Sequence, residues 1–174
     1  SSNEASSLFD RRYRAFTGRK LRIPLIYEDL CDDVLTEERP RKYVTFVGPA
    51  IPPKGADIFL KIVEFSGKHK MGLDFLLISR LEADARYYGK ANLKTFHKDR
   101  ITDEEMVDLL RQSVVTITPY RTARQSSVVL TSYMCGTPVV STNVGGLSEF
   151  VYHLRTGYLL DVSASAEEWL KGIN

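Results

Sequence analysis

The sequence predicts an α/β fold with a doubly wound, mostly parallel sheet of the Rossmann-like kind. From residue 43 onward, short runs rich in Val, Ile, Leu and Phe alternate with segments of roughly ten residues that have helical periodicity. Gly, Pro and polar residues separate these runs. Strands that are apolar on both faces and alternate with helices are typical of buried parallel sheets, whose crossover connections are right-handed.

Six apolar runs are predicted strands. Each is rich in β-branched or large apolar residues and is bounded by Gly, Pro or polar residues. They are YVTFVG (43–48), LDFLLIS (73–79), NLKTFH (92–97), SVVTITPY (113–120), PVVSTN (138–143) and GYLLD (157–161). Together they predict one domain that spans residues 43–174.

Six segments between and after these strands are predicted helices: residues 53–65, 81–88, a segment that begins at 102, and residues 126–135, 147–153 and 165–170. The first has Pro at its start and the apolar residues Ile58, Phe59, Ile62 and Val63 on one face. The third opens with the capping-box pattern TDEE. Ser165 is the expected N-cap of the last.

Residues 1–42 are predicted to be an extension or linker outside this domain. They comprise a polar start, a basic amphipathic helix at 8–16, a strand at 21–27 interrupted by Pro24, and an acidic loop. A basic amphipathic helix can make weak peripheral contact with an anionic membrane surface. The alternative is a solvated helix that joins a further domain.

Composition narrows the function classes. A formal net charge of +2 gives no electrostatic case for nucleic acid. No apolar run is long enough for a membrane span, and no signal-peptide core stands at the start. The two isolated cysteines, Cys31 and Cys135, argue against a disulfide scaffold or a zinc site and favour a reducing, cytoplasmic setting. Three scattered histidines and the lack of a D-x-D motif predict no metal site.

Three polar segments, 48–55, 118–127 and 142–146, each follow a predicted strand. The carboxyl ends of parallel strands share one edge of the sheet, where ligands of doubly wound folds bind. We therefore expect the three segments to meet at one rim. Two of them open helices, and helix N-termini offer N–H groups and a dipole that suit an anion such as a pyrophosphate.

Lys54 and the run Gln125-Ser126-Ser127 are the leading candidates for that site. A lysine at a helix opening can place its ammonium over a phosphate, although an isolated loop lysine is usually solvated. The amide and hydroxyls of residues 125–127 can contact a ligand, while the serines can instead cap the helix.

Two further pairs are candidates with open alternatives. Arg121 and Arg124 are either phosphate partners, because guanidinium forks onto phosphate oxygens, or exposed loop residues. Gly145 and Gly146 allow either close backbone approach to a ligand or a turn with positive φ.

The stretch QSSVVLTSYMCGTPVVSTNVGGLSEFV (125–151) resembles the C-terminal, donor-binding domain of retaining glycosyltransferase family 4, which has the two-domain GT-B architecture. The residues in register are Gly136, Pro138, Val139, Val140, Gly145, Gly146, Glu149 and Val151. The resemblance runs from about residue 43 to 161 and also covers Lys54-Gly55. It implies the Rossmann-like C-terminal half of a GT-B fold.

The resemblance further implies a nucleotide-sugar donor, expected to be UDP- or GDP-linked, with no other cofactor and no metal. It places the diphosphate on Lys54 and on the helix start 125–128, which includes Val128. Arg124 is a further candidate partner on the chemistry of its guanidinium alone. The resemblance places the donor ribose at Thr131 and the pocket border at Gly145 and Gly146. The acceptor site belongs to an N-terminal GT-B domain, so this chain alone should bind a donor without turnover.

Three positions depart from the family pattern. Pro49 stands where the family has an arginine, and Ala123 and Thr131 stand where it has two glutamates. The alternative is therefore a catalytically degenerate GT-B domain that binds a glycan or nucleotide or serves in assembly. A sugar-nucleotide epimerase on the same frame ranks last, since it needs an acidic pair near the sugar.

Overall fold

The protein is described by a computed structural model that covers residues 3–12, 14, 17, 30–31 and 39–173. Six parallel strands form one sheet in the order β3-β2-β1-β4-β5-β6. They are β1 Tyr43–Val47, β2 Asp74–Ser79, β3 Leu93–His97, β4 Ser113–Thr118, β5 Val139–Thr142 and β6 Gly157–Leu160. This is the strand order of the doubly wound dinucleotide-binding fold, with its reversal between β1 and β4. The predicted fold class is confirmed.

In the part of the chain that the structure describes, five α-helices accompany the sheet: α1 Asn3–Arg12, α2 Ala56–Lys68, α3 Asp103–Arg111, α4 Ser127–Met134 and α5 Ala166–Ile173. Three short 3₁₀ helices occupy Pro52–Lys54, Ala85–Tyr87 and Gly145–Glu149. The predicted capping box opens α3 at Thr102, and Ser165 and Glu168 form a reciprocal pair of the same kind at the start of α5. No helix in the described part of the chain is long and apolar enough to cross a membrane.

The two faces of the sheet carry different helices. On one face, Val44 and Phe46 of β1 pack in a cluster with α2 and with Trp169 and Leu170 of α5. On the other face, Tyr43 and Val47 of β1 pack with α3 and the end of α4. Successive residues of a strand point to opposite faces, so a short apolar run supplies both layers at once.

The end of α4 is closed by the residues that follow it. Gly136 has a φ of 65°, and the N–H groups of Gly136 and Thr137 donate to the carbonyls of Tyr133 and Ser132 at 2.9 and 2.8 Å. Arg41 donates to the Cys135 carbonyl at 2.8 Å and also to the Ser113 carbonyl at 2.9 Å. The Gly-Thr-Pro break therefore ends the helix as the sequence indicates.

Two predicted helices form only short 3₁₀ helices in the structure. Residues 81–88 form only the 3₁₀ turn Ala85–Tyr87. The Asp84 side chain there accepts a hydrogen bond from the Arg86 N–H at 2.9 Å, a local bond that competes with helix formation. Of the predicted helix 147–153, only residues 147–149 are helical, and they form the end of the 3₁₀ helix Gly145–Glu149.

The predicted helix at 53–65 is broken at Gly55, which separates the 3₁₀ helix Pro52–Lys54 from α2. Gly55 has a φ of 68°, and a Cβ atom there would lie 1.7 Å from the carbonyl oxygen of Pro119. Only glycine lets the Lys54-Gly55 turn lie this close to the chain after β4.

The N-terminal region is described in part. Helix α1 begins at Asn3 and ends at Arg12, earlier than the predicted 8–16, and it lies against the 3₁₀ helix Gly145–Glu149. The predicted strand at 21–27 lies outside the described residues, and the predicted membrane contact stays a prediction. Cys31 lies with its Sγ 3.4 Å from the Sγ of Cys135, so the two thiols, isolated in sequence, are neighbours in space.

We predict that Gly55→Ala destabilises the protein more than Gly72→Ala does. Gly72 has nearly the same φ, 69°, but nothing lies within 4 Å of a Cβ built on it. Both substitutions incur the cost of a left-handed alanine, about 1–2 kcal/mol, and only Gly55→Ala adds a clash with backbone. Urea unfolding of the two variants measures the difference. Equal losses of unfolding free energy would contradict the close approach to Pro119.

Candidate functional site

The three polar loops that follow β1, β4 and β5 meet at the carboxyl edge of the sheet, as predicted. The N–H of Arg121 donates to the Pro53 carbonyl at 3.0 Å, which joins the first loop to the second. The N–H of Gly146 donates to the Ala123 carbonyl at 3.2 Å, which joins the second loop to the third. The rim is therefore one connected structure.

Lys54 is not a solvated loop lysine. Its side chain is half-buried, and its Nζ lies 3.9 Å from the centroid of the Tyr120 ring. Burial lowers the pKa of Lys54 from its ordinary value. Within the described residues, no carboxylate forms a salt bridge with this ammonium. A partly desolvated cation without a protein counter-charge favours an external anion.

The start of α4 carries polar groups that the fold leaves unused. Ser126 is the N-cap of α4, but its side chain makes no capping hydrogen bond, contrary to the capping alternative. Six buried side-chain N or O atoms among the described residues lack a hydrogen-bond partner, and four lie on one segment. These four are Thr118 Oγ1, Tyr120 Oη, Gln125 Nε2 and Ser126 Oγ. Most of the buried polar atoms that the described fold leaves without a partner therefore lie on this one segment, residues 118–126.

The hydroxyls of Tyr120 and Ser126 are neighbours, but their geometry falls short of a hydrogen bond. Burial raises the pKa of Tyr120, and the nearby Ser126 hydroxyl partly offsets that rise. Tyr120 therefore stays protonated, with its buried hydroxyl beside that of Ser126.

The two arginines of this loop have different roles. Arg121 forks onto Asp57, with Nη2 to Oδ2 at 2.6 Å, and donates to the Pro52 carbonyl at 2.8 Å. The hydrogen bond from Arg121 holds the pKa of Asp57 below its ordinary value. The Arg121 guanidinium is therefore used to hold the turn that carries Lys54. Arg124 is exposed on the same loop, so the alternative of a ligand partner stays open for Arg124 alone.

A cavity of about 330 Å³ opens on one side of the α4 start. Its floor is apolar and comes from β1, β2 and α3, while Ser127, Val128 and Thr131 of α4 form a wall. Thr131 Oγ1 donates to the Ser127 carbonyl at 3.1 Å, which leaves its lone pairs able to accept from a ligand. The volume suits a small organic ligand.

A second cavity of about 420 Å³ lies on the other side of the loop 121–124. It is lined by that loop, including Ala123 and Arg124, by Val144 and Gly145, and by Leu8 of α1. Gly145 has a φ of 57°, so the positive-φ alternative holds at Gly145, while Gly146 is buried against Ala123. Of the nine candidate residues, three (Ser127, Val128 and Thr131) line the first cavity and two (Arg124 and Gly145) line the second.

Sequence reasoning missed two parts of this site. Ser79, which ends β2, and Arg80 and Leu81, which follow it, line the first cavity. Their place at the end of a buried strand was the available signal. Tyr120 lies under Lys54. It was read only as the end of a strand, because no local pattern tells which distant side chain a buried aromatic residue meets.

Both the sequence and the fold are similar to those of known glycosyltransferases. The family model described as Glycosyl transferases group 1 matches residues 41–174. A D-inositol 3-phosphate glycosyltransferase of Acidothermus cellulolyticus is 35% identical over 133 residues, which cover 68% of this chain and 30% of that protein. The chain spans only about 30–40% of the length of the curated relatives it matches.

Two solved structures share the fold. WaaG, a glycosyltransferase involved in lipopolysaccharide biosynthesis, gives a TM-score of 0.74 at 16% identity and covers 99% of this chain and 51% of that one. The pneumococcal O-GlcNAc transferase GtfA, in complex with UDP and GlcNAc, gives a TM-score of 0.71 at 17% identity over 99% of this chain and 36% of that one. With a family model that covers residues 41–174, the chain belongs to the glycosyl transferases group 1 family.

Proposed function

We propose that this chain is the donor-binding domain of a family 4 glycosyltransferase of GT-B architecture, and that the rim of loops binds a nucleoside diphosphate sugar. The observation that carries the proposal is the concentration of unsatisfied polar atoms and an uncompensated lysine at the strand-order reversal. That edge is where doubly wound sheets bind ligands.

The diphosphate lies across the start of α4. The first N–H groups of a helix have no acceptor within it, and the helix dipole adds partial positive charge at that end. Gln125 and Ser126 add a buried amide and a hydroxyl without protein partners. Lys54 adds a full positive charge. Its attraction to a phosphate is strongest where burial has removed water from the ammonium.

The nucleoside occupies the 330 Å³ cavity. Its apolar floor, which includes Val47, Ile78 and Met106, suits the faces of a base. Thr131 faces this cavity and can accept a hydrogen bond from a ribose hydroxyl. Ser127 and Val128 stand between the ribose and the diphosphate. GtfA, with the same fold, is described with UDP, which supports a uridine or other nucleoside diphosphate as the ligand class.

The sugar points toward the 420 Å³ cavity beyond the loop 121–124. Arg124 and Gly145 line that side, and Gly146 brings the third loop against the second. When the bond between sugar and diphosphate breaks, negative charge grows on the diphosphate. Lys54 and the α4 dipole stabilise that charge more strongly in the transition state than in the ground state, which lowers the barrier.

The acceptor and the rest of the catalytic constellation belong to parts of the protein beyond this chain, which spans about a third of its relatives. We propose that the whole protein transfers the sugar to an acceptor with retention of configuration. The chain alone is expected to bind the donor without transferring its sugar.

The second candidate function is a degenerate domain that binds a glycan or nucleotide, or assists assembly. It is favoured by Ala123 and Thr131, which put no carboxylate at two positions where the family has glutamates. It is also favoured by Pro49 in place of an arginine. A degenerate domain has no need of Lys54.

We predict that calorimetric titration of this chain with UDP, GDP and ADP shows binding of one nucleotide. Lys54→Ala should weaken that binding about tenfold or more, roughly 1.4 kcal/mol, because it removes the charge beside the diphosphate. Lys61→Ala is the control, since Lys61 is exposed on α2 and lies in none of the three loops. Binding that is equal in both variants, or no binding of any nucleotide, would contradict the proposal.

A further inference from the structure

The Lys54 ammonium, which brings a full positive charge to the proposed site, lies over the ring of Tyr120. Tyr120 is 0% exposed, and Lys54 Nζ lies 3.9 Å from the centroid of its ring. The ring packs in a cluster with Val129, Val139 and other buried residues. The Tyr120 carbonyl accepts a hydrogen bond from Thr142 Oγ1 at 2.6 Å. The ring is therefore fixed by packing, and the backbone of Tyr120 is fixed by this hydrogen bond.

A lysine side chain has a flexible four-carbon stem and loses conformational entropy when it is fixed. An aromatic face attracts an ammonium through its quadrupole, and the attraction is larger where water is excluded. Gly55 contributes as well, since its close approach to Pro119 brings the Lys54 turn directly over Tyr120. Ring and turn together hold the ammonium at the opening of α4.

We propose that Tyr120 is the positioning residue for Lys54, holding its ammonium in place for a diphosphate before the ligand arrives. That the ligand is a diphosphate rests on the proposed function. The support of Lys54 by the ring does not depend on it. Tyr120 acts through Lys54 and is itself too deeply buried to touch a ligand.

The support is tested first without a ligand. The pKa of Lys54 is measured by NMR on ¹³C-methylated lysines in the wild type, Tyr120→Phe and Tyr120→Leu, with Lys54→Met identifying the signal. Tyr120→Phe keeps the ring and should leave the pKa unchanged. Tyr120→Leu keeps an apolar neighbour but removes the quadrupole, so the pKa should fall further. An unchanged pKa in Tyr120→Leu would overturn the proposal.

The consequence for binding is tested by a double-mutant cycle with UDP and GDP as probes. Tyr120→Leu should raise the Kd about threefold to thirtyfold, and Tyr120→Phe should raise it little. In the Lys54→Met background Tyr120→Leu should have no further effect, which a merely structural role would not produce. An equal loss in both backgrounds would overturn the proposal. If neither nucleotide binds the wild type, the proposed function fails, while the pKa comparison still decides whether Tyr120 supports Lys54.

A second, independent observation concerns Cys31 and Cys135, whose Sγ atoms lie 3.4 Å apart although 104 positions separate them in the sequence. No disulfide bond joins the two sulfurs in this structure. Cys135 is 4% exposed at the end of α4, and Cys31 is half-buried. Burial, together with the neighbouring Cys31 sulfur, raises the pKa of Cys135, so Cys135 keeps its proton and the more accessible Cys31 meets an oxidant first.

We infer that Cys31 and Cys135 form a modification site that takes a disulfide oxidant and closes to an internal disulfide. The Cys31 thiolate, its proton released to water, attacks one sulfur of the oxidant and expels one thiolate. Cys135 then loses its proton and attacks Cys31, which expels the second. One dithiol and one disulfide thus become one protein disulfide and two free thiols. The sulfurs must approach from 3.4 Å to about 2.05 Å.

Oxidised glutathione tests this on the native protein, followed by alkylation, intact mass measurement and peptide mapping. The expected product has lost two hydrogens, resists alkylation and yields one peptide pair that joins Cys31 to Cys135. Cys31→Ser and Cys135→Ser should each lack it. The oxidised wild type should also melt at a higher temperature, since the bond constrains the unfolded chain. Two alkylated thiols after oxidation, or glutathione retained on Cys31, would overturn the inference.

Discussion

The structure depends on the point where the strand order reverses. From β1 the chain crosses to β2 on one side, and from β4 it crosses to β5 on the other. Because both crossovers are right-handed, α2 and α4 lie on opposite faces of the sheet. The loops that follow β1 and β4 therefore part at the sheet edge. The first cavity, the Lys54 turn and the start of α4 all lie at this opening.

Contacts across the opening fix its geometry. Gly55 lies against Pro119, Arg121 forks onto Asp57, and Lys54 rests on Tyr120. The Arg121–Asp57 side chains are 40% and 37% exposed, so this ion pair adds little to stability, and its use is to hold the two loops in register. The result is a cation and several unsatisfied polar atoms held in place before any ligand binds, which reduces the ordering that binding requires.

Much of the fold could be predicted from the sequence because its signals are local. The apolar runs that became strands, the capping box at Thr102 and the Gly136 break all depend on neighbouring residues. The predictions that were wrong concern contacts between residues that are far apart in the sequence. The helix predicted through Gly55 is broken by its approach to Pro119, 64 positions away. Cys31 and Cys135 looked isolated, and only the packed fold brings them together.

For the candidate site, too, local signals could be predicted from the sequence and contacts between distant residues could not. The convergence of three loops could be predicted, since parallel strands end at one edge. Lys54 and the start of α4 were found for that reason. Sequence could not show that Ser126 fails to cap its helix or that Arg121 is taken by Asp57, because both outcomes are set by side-chain geometry. Tyr120 was missed since the ring and Lys54 are joined only through space.

The central claim is that one ligand contacts all three loops at once. Backbone amide NMR during titration with UDP, and then with GDP, tests it most directly. The account predicts shifts at Lys54-Gly55, Ser127-Val128 and Gly145-Gly146 that follow a single Kd for one of the two nucleotides. Shifts confined to one loop, or located at the opposite edge of the sheet, would contradict it.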